Sequence, residues 1–264
     1  MTTDNLGLLV CRQSKESFAV LATRNISTHK IVAVYDRTSL APLWLYNNAR
    51  GGEQALRGAD ACMPSFTPIF AKALANRLQL RRTEHGLPEG LTPEDIFHYA
   101  YAVFHSPGYR SRYAEFLKVA FPRLPLTGNL GLFRALARLG GELVALHLLE
   151  SPTLNKPLTT YDGPANPEVE KISYARDTVW LDKARTRGFK GVPETVWNFH
   201  IGGYQVCEKW LKDRKGRALS KDDIAHYHKI VVALNETIRL MKEIDEVIDK
   251  LGGWPGAFQS AQNE

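Results

Sequence analysis

A chain of 264 residues with 44% hydrophobic residues has enough apolar side chain to fill one large domain or two small ones. Its 34 Lys and Arg against 28 Asp and Glu give a net charge of +6, which suits an anionic partner such as nucleic acid and equally a mildly basic globular protein. Cys11, Cys62 and Cys207 form no CxxC pair, which argues against a disulfide framework or a cysteine zinc site; no apolar run is long enough to span a bilayer and no signal peptide is evident, so a reducing cytoplasm is expected.

In chain order, LGLLVCR, FAVLATR, IVAVYD and LAPLWLYN are short β-rich runs with polar breaks and predict a β meander. FTPIFAKALANRLQL predicts a helix with Ile69, Phe70, Ala73, Leu74 and Leu78 on its buried face. Thr92, Pro93 and Asp95 stand in capping-box order before Ile96, Tyr99, Ala100, Val103 and Phe104, so a second helix starts there and ends at HSPGYR. RSRYAEFLKVAF predicts a third helix, and residues 130–149, with a stripe of Leu132, Leu136, Leu139, Leu143 and Leu146, a fourth. The proline-rich SPTLNKPLTTYDGPANPEV reads as a long surface connection, dividing the chain into 1–151 and 152–264 unless both form one continuous domain.

Strand texture returns in KISYARDTVWLDKA and VPETVWNFHI, with a turn near Gly188. Ser220 and Asp223 cap a final long helix whose stripe runs from Ile224, Tyr227, Val231 and Leu234 through Ile238, Met241, Ile244, Ile248 and Leu251; so long an apolar face needs a partner helix, for which 130–149 is the choice. The expected fold class is α+β: an N-terminal β meander, a helical middle, a second β segment and a long C-terminal helix packed on a partner helix.

Catalytic motifs are sparse. Neither the phosphate loop G-x-x-x-x-G-K-[ST] nor G-x-G-x-x-G occurs, and the Asn/Asp-Pro-Pro-aromatic loop that grips a flipped base in amino-methylating enzymes is missing. His98 and His105 share a helical face, and His226 and His228 flank Tyr227, yet neither pair keeps metal spacing with an acidic or cysteine ligand. No G-x-S-x-G elbow or cysteine-protease motif appears.

Two stretches carry a resemblance. YAYAVFHSPGYRSRYAEFLKVAFPRLPL, residues 99–126, resembles a segment of the specificity region of large single-polypeptide restriction-modification enzymes and their methyltransferase relatives. VWNFHIGGYQVCEKWLKDRKGRALSKDDIAHY, beginning at Val196, is similar to the C-terminal part of the type ISP group, and NLGLLVCRQ and FAVLATRNI to the start of that region. The resemblance implies a target recognition domain that reads duplex DNA for an N6-adenine methyltransferase. It implies no cofactor in this chain: S-adenosylmethionine and ATP with Mg belong to upstream methyltransferase and helicase or nuclease modules, which would be its partners. No catalytic residue is carried over.

The residue types suit that task. Arg110 and Arg112 follow the helix break at Pro107 and Gly108, where a helix N-terminus and two guanidinium groups could face one phosphate. Lys209, Lys212, Arg214, Lys215 and Arg217 stand against only Glu208 and Asp213 within their run, a density suited to a phosphate backbone. Asn198, His200, Tyr204 and Gln205 are polar groups of kinds that can read base edges, or that can satisfy backbone around the turn, the reading preferred for Tyr204. A different class of function stays open: a helical interaction module whose long C-terminal helix docks a methyltransferase or motor domain, the basic run serving solubility.

Overall fold

A computed structural model describes residues 5–13, 18–27, 31, 37–46, 62–84 and 86–259. The fold is α+β and its described residues fall into two compact units, one within Met1–Val144 and Glu243–Glu264, the other Ala145–Lys242. The chain crosses between them twice, once after Val144 and once inside the long C-terminal helix, the second without a sign in the sequence.

In the first unit, strand β1 (Gly7–Cys11) pairs antiparallel on one side with β2 (Val20–Thr23) and on the other with β3 (Thr38–Pro42). Past Ile31, the run IVAVYD lies outside the described residues. The run 40–47 is split at the buried Leu43, after which β4 (Trp44–Tyr46) pairs with β5 (Cys62–Pro64). Asn5 fixes this junction by donating to the Trp44 carbonyl at 2.8 Å and accepting from the Trp44 amide at 3.1 Å.

Helix α1 (Pro68–Leu78) buries Ala71, Leu74, Ala75 and Leu78, whereas Ile69 is 82% exposed and Ala73 is exposed. The face is thus rotated from the expected one: positions 71, 74, 75 and 78 also keep helical spacing, and their alanines admit close neighbours where Ile69 would not. Helix α2 (Pro93–His105) begins with the expected reciprocal cap, Thr92 Oγ1 accepting from the Asp95 amide at 3.1 Å and Asp95 Oδ2 from the Thr92 amide at 2.8 Å. It is buried well beyond one stripe, with Phe97, Tyr101 and Ala102 joining the expected residues, so its polar groups bond internally: Tyr99 donates to the Pro125 carbonyl and Tyr101 accepts from the Ala22 amide.

The third helix starts earlier than expected and is cut in two, α3 (Pro107–Arg112) and α4 (Ala114–Leu117). Ser106 is its cap, accepting from the Tyr109 amide at 3.0 Å, and Pro107 occupies the first helical position. Helix α5 (Leu130–His147) buries all five leucines of its stripe. A Cβ on its Gly140 would lie 1.8 Å from the His98 carbonyl oxygen, so α2 and α5 approach at a distance only glycine allows.

In the second unit the proline-rich segment is more than a connection: it supplies strand β6 (Thr160–Asp162) and the fully buried Val169. Strands β7 (Ser173–Ala175), β8 (Thr178–Trp180) and β9 (Gly188–Lys190) complete an antiparallel sheet in the order β6-β9-β8-β7. Gly188 lies within β9, not in a turn, and a Cβ there would lie 2.5 Å from the Val179 carbonyl oxygen of the neighbouring strand.

The expected strand VPETVWNFHI is instead a turn of helix, α6 (Glu194–Trp197), followed by the two-residue strands β10 (His200–Ile201) and β11 (Tyr204–Gln205). Pro193 explains the change: its fixed φ sets up a helix start, and its carbonyl accepts from the Val196 and Trp197 amides. Helices α7 (Val206–Lys212) and α8 (Lys221–Asp249) follow. Val196, Trp197, Cys207, Leu211, Tyr227, Val231 and Leu234 pack with Val179 and Phe189 of the sheet in one core, where burial pushes the Cys207 thiol up to about 12.

Ser220 and Asp223 cap α8 reciprocally at 3.0 and 3.1 Å, as expected. The stripe residues Tyr227, Val231, Leu234, Ile244 and Ile248 are buried, while Leu251 lies past the helix end and is exposed. Side-chain bonds join α8 to the expected partner α5: Arg138 to Glu243 at 3.1 Å, and His147 to Thr237 at 2.9 Å. The short turn α9 (Gly253–Gly256) carries Trp254, whose indole N–H donates to Ser106.

Candidate nucleic-acid interface

The stretch from Pro193 to Ser220 is positioned by its apolar half. Val196, Trp197, Cys207 and Leu211 are anchored in the core, so the polar half of α7 and its flanking turns faces outward. Gly202, at φ 58, makes the tight turn between β10 and β11, and Gly216, at φ 75, turns the chain between α7 and α8. The Gly216 amide donates to the Val169 carbonyl at 2.8 Å, and the Val169 amide donates back to Arg217 at 3.2 Å, which fixes the loop against the proline-rich segment.

Four of the five cations of this stretch hold carboxylates. Lys209 pairs with Asp213 at 2.5 Å and Lys212 with Glu208 at 2.8 Å, both along α7. Arg214 and Arg217 share Asp223, at 3.3 and 3.2 Å. Asp223 is the partner the sequence reading missed, because it lies beyond the basic run; its position in the capping box could have suggested it. Its carboxyl is held below the usual range by the Ser220 amide first and, against some desolvation, by Arg214 and Arg217. Among the described residues, Lys215 is exposed and has no ion-pair partner.

The five cations differ in freedom. The Arg214 side chain is 24% exposed, stacks its guanidinium 3.5 Å from the Trp210 ring centre and donates to the Trp210 carbonyl, so it is built into the surface. His226 lies on the same indole at 5.6 Å. The Arg217 side chain is 58% exposed. Pairs as open as that of Lys209 contribute about 0–1 kcal/mol each, so a phosphate can replace the carboxylate there, whereas Arg217 holds the more enclosed Asp223.

The polar residues of the hairpin divide. Asn198 is exposed at the end of α6, and His200 is exposed with its Nδ1 bonded to the Asn198 carbonyl at 2.7 Å, which leaves Nε2 facing solvent. Gln205 donates its amide to the Trp197 carbonyl at 2.5 Å, and Tyr204 is half-buried under the Lys209 ammonium at 5.6 Å; both are engaged in holding the turn.

Arg110 and Arg112 are placed otherwise than expected. They occupy the last turn of α3, and the N-terminus of that helix is filled by Asp245, bonded to Ser106 Oγ and to the Gly108 amide, so a carboxylate stands where the phosphate was expected. Arg110 donates to the Phe104 carbonyl at 2.7 Å and lies over Phe18, burial lowering its pKa to about 10, so it stays charged at neutral pH. Arg112 is exposed beside Tyr113.

Three of the described histidines serve packing: His105 bonds the Tyr101 carbonyl, His228 bonds Thr159, and His98 lies against Gly141 of α5. Among the described residues no three His, Cys, Asp or Glu side chains gather as metal ligands, and no helix is long and apolar enough to cross a membrane.

Fold and site together define an α+β module bearing a cationic surface on a short helix and the loop after it. The chain belongs to the family described as Type ISP C-terminal specificity domain, which it matches over residues 1–243. Among solved structures it is similar to the ATP-dependent Type ISP restriction-modification enzyme LlaBIII bound to DNA, with a TM-score of 0.66 and 18% identity over 92% of this chain and 16% of that one. It is also similar to a nuclease-deletion mutant of the Type ISP enzyme LlaGI in complex with a DNA substrate mimic (0.61, 19%, over 92% and 18%) and to the DrdV–DNA complex (0.65, 22%, over 90% and 24%). The chain therefore spans less than a quarter of the length of these proteins, and at these identities the likeness is one of fold. No curated protein matches the sequence.

Proposed function

We propose that this chain is the DNA-reading part of a restriction-modification or adenine-specific methyltransferase system. Lys209, Lys212, Lys215 and Arg217 hold the phosphate backbone, with Arg214 as the fixed post between them, and Asn198 and His200 are offered to base edges. The observation that carries this reading is the exposed row of cations on α7 and its loop, held by weak, replaceable pairs, in a member of a specificity-domain family. Methyl transfer and any ATP-driven step belong, in this proposal, to other modules that act as partners, with S-adenosylmethionine and ATP bound there.

The docking-module reading is less well supported, since Tyr227, Val231, Leu234, Ile244 and Ile248, the face a docking helix would offer, are buried in this chain. Fluorescence anisotropy on duplex DNA at several salt concentrations tests the proposal. Each neutralised phosphate contact among Lys209, Lys212, Lys215 and Arg217 should reduce the slope of log K against log salt by about 0.9 on every sequence. Alanine at Asn198 or His200 should cost about 1–3 kcal/mol on a selected site and little on random DNA. Binding that ignores salt would defeat it.

A further inference from the structure

The second unit holds another group of cations, outside the stretch just described. Strands β8 and β9 are joined by the loop 181–187, LDKARTR. Buried Asp182 organises it: its carboxylate accepts from Thr186 Oγ1 at 2.7 Å, the Thr186 amide at 3.0 Å and the Arg187 amide at 3.4 Å. Desolvation opposes the charge, but these bonds outweigh it and keep the carboxyl below the usual range. The ring of bonds leaves residues 183–186 exposed and sets Arg185 at φ 58. A long side chain in that left-handed region costs on the order of 1–2 kcal/mol, and glycine or asparagine would fit with less strain. Beside it, Arg187 has a buried Nε–H without an acceptor, lies 3.8 Å from Glu170, and adds its charge to the bonds that hold the Asp182 carboxylate. The Asp182 bonds thus hold two exposed cations, Lys183 and Arg185, in a fixed loop conformation that Arg185 would not adopt by local preference.

Backbone bonds place this loop next to the first cationic surface. Val169 exchanges bonds with Gly216 and Arg217 on one side, and the next two residues, Glu170 and Lys171, donate to the Leu181 carbonyl at 2.9 and 3.0 Å on the other; the Leu181 amide closes the loop onto Arg187 at 3.0 Å. Loop 215–217, segment 169–171 and loop 181–187 thus form one ribbon. Two strand-like spacings separate its outer members by about 10 Å, roughly the rise of three nucleotides along one DNA strand. The counter-charges on and beside this ribbon are the exposed Glu168 and Glu170, the buried Asp182 taken up by its own loop, and Asp223, which holds Arg217.

We infer that Lys183 and Arg185, with Lys171 between them and Lys215, contact the sugar-phosphate backbone of duplex DNA, continuing the surface of Lys215 and Arg217 across the ribbon. The inference rests on the DNA reading above and adds a contact element to it.

The test is anisotropy of the 264-residue chain on a labelled random-sequence duplex across a salt series, with melting temperature measured for every variant. Lys183→Ala/Arg185→Gly removes two charges while giving position 185 the residue its backbone favours, so the melting temperature should hold or rise and the salt slope should fall by roughly 1.8. Arg185→Lys should keep the wild-type slope. Should glycine shift the loop and lower the melting temperature, Lys183→Ala alone at its exposed position reads the same surface, with half that fall expected and none counting against it. If wild type and a Lys215→Ala/Arg217→Ala variant behave as the DNA reading requires but the loop variants keep the full slope, this inference is overturned and that reading survives. If the wild-type chain shows no salt-dependent binding, both fall together.

Discussion

One carboxylate, that of Asp223, joins structure to surface. It caps α8 through Ser220 and holds both Arg214 and Arg217. The two duties can be separated by substitution, because an asparagine keeps an oxygen for the cap but loses the charge. Asp223→Asn should therefore cost about 1–2 kcal/mol of stability, read as a lower denaturant midpoint, while duplex DNA binding tightens because two guanidinium groups lose their competitor. Weaker DNA binding by this variant would mean that Asp223 positions the arginines instead of competing for them.

Among the elements, α2 and α5 are locked by Gly140. With a Cβ there placed 1.8 Å from the His98 carbonyl, Gly140→Ala must push two buried helices apart, and a loss of more than about 3 kcal/mol is expected in chemical denaturation. Alanine normally favours a helix interior by about 1 kcal/mol, so the sign itself is diagnostic. The elements that the sequence made legible have strong local punctuation: Thr92 with Asp95, Ser220 with Asp223, and the leucine stripe of α5 all stand as read. The failures are tertiary. Alanines on both sides of α1 let the sequence offer two faces, and only packing selects Ala71 and Ala75 over Ile69 and Ala73. In VPETVWNFHI the β-rich composition concealed a helix start set by Pro193. Of the candidate site, the cluster on α7 was readable as a contiguous run and its coupling to Asp223 lies just past that run, whereas the carboxylate at the N-terminus of α3 and the ribbon joining loops 181–187 and 215–217 depend on residues far apart in sequence.

Across the whole molecule, three histidines bias the response to acid. Burial lowers the pKa of His98, His226 and His228 from the ordinary 6.5, Arg214 and Lys229 adding to the effect at His226. The unfolded chain then takes up protons before the folded one, so stability is full above 6.5 and falls as the pH drops through that value toward the lowered folded pKa. Melting temperatures should decline from pH 7.5 to 5.5, and His228→Gln, which keeps a partner for Thr159, should flatten the decline. The charges also have a spatial pattern. Residues 145–242 contain 16 Lys and Arg against 12 Asp and Glu, so they hold +4 of the net +6, yet on α7 each lysine has its carboxylate one helical turn away. A DNA strand displaced by a few ångströms would bring phosphates onto Asp213, Glu208 or Asp223, and like charges at 4 Å repel by about 1 kcal/mol in water and about 4 at a protein surface. On the proposed DNA reading such a surface is a toothed rack, not a smooth rail: it would seat the backbone in discrete steps and slow one-dimensional travel along DNA, giving base-reading groups time to sample each position.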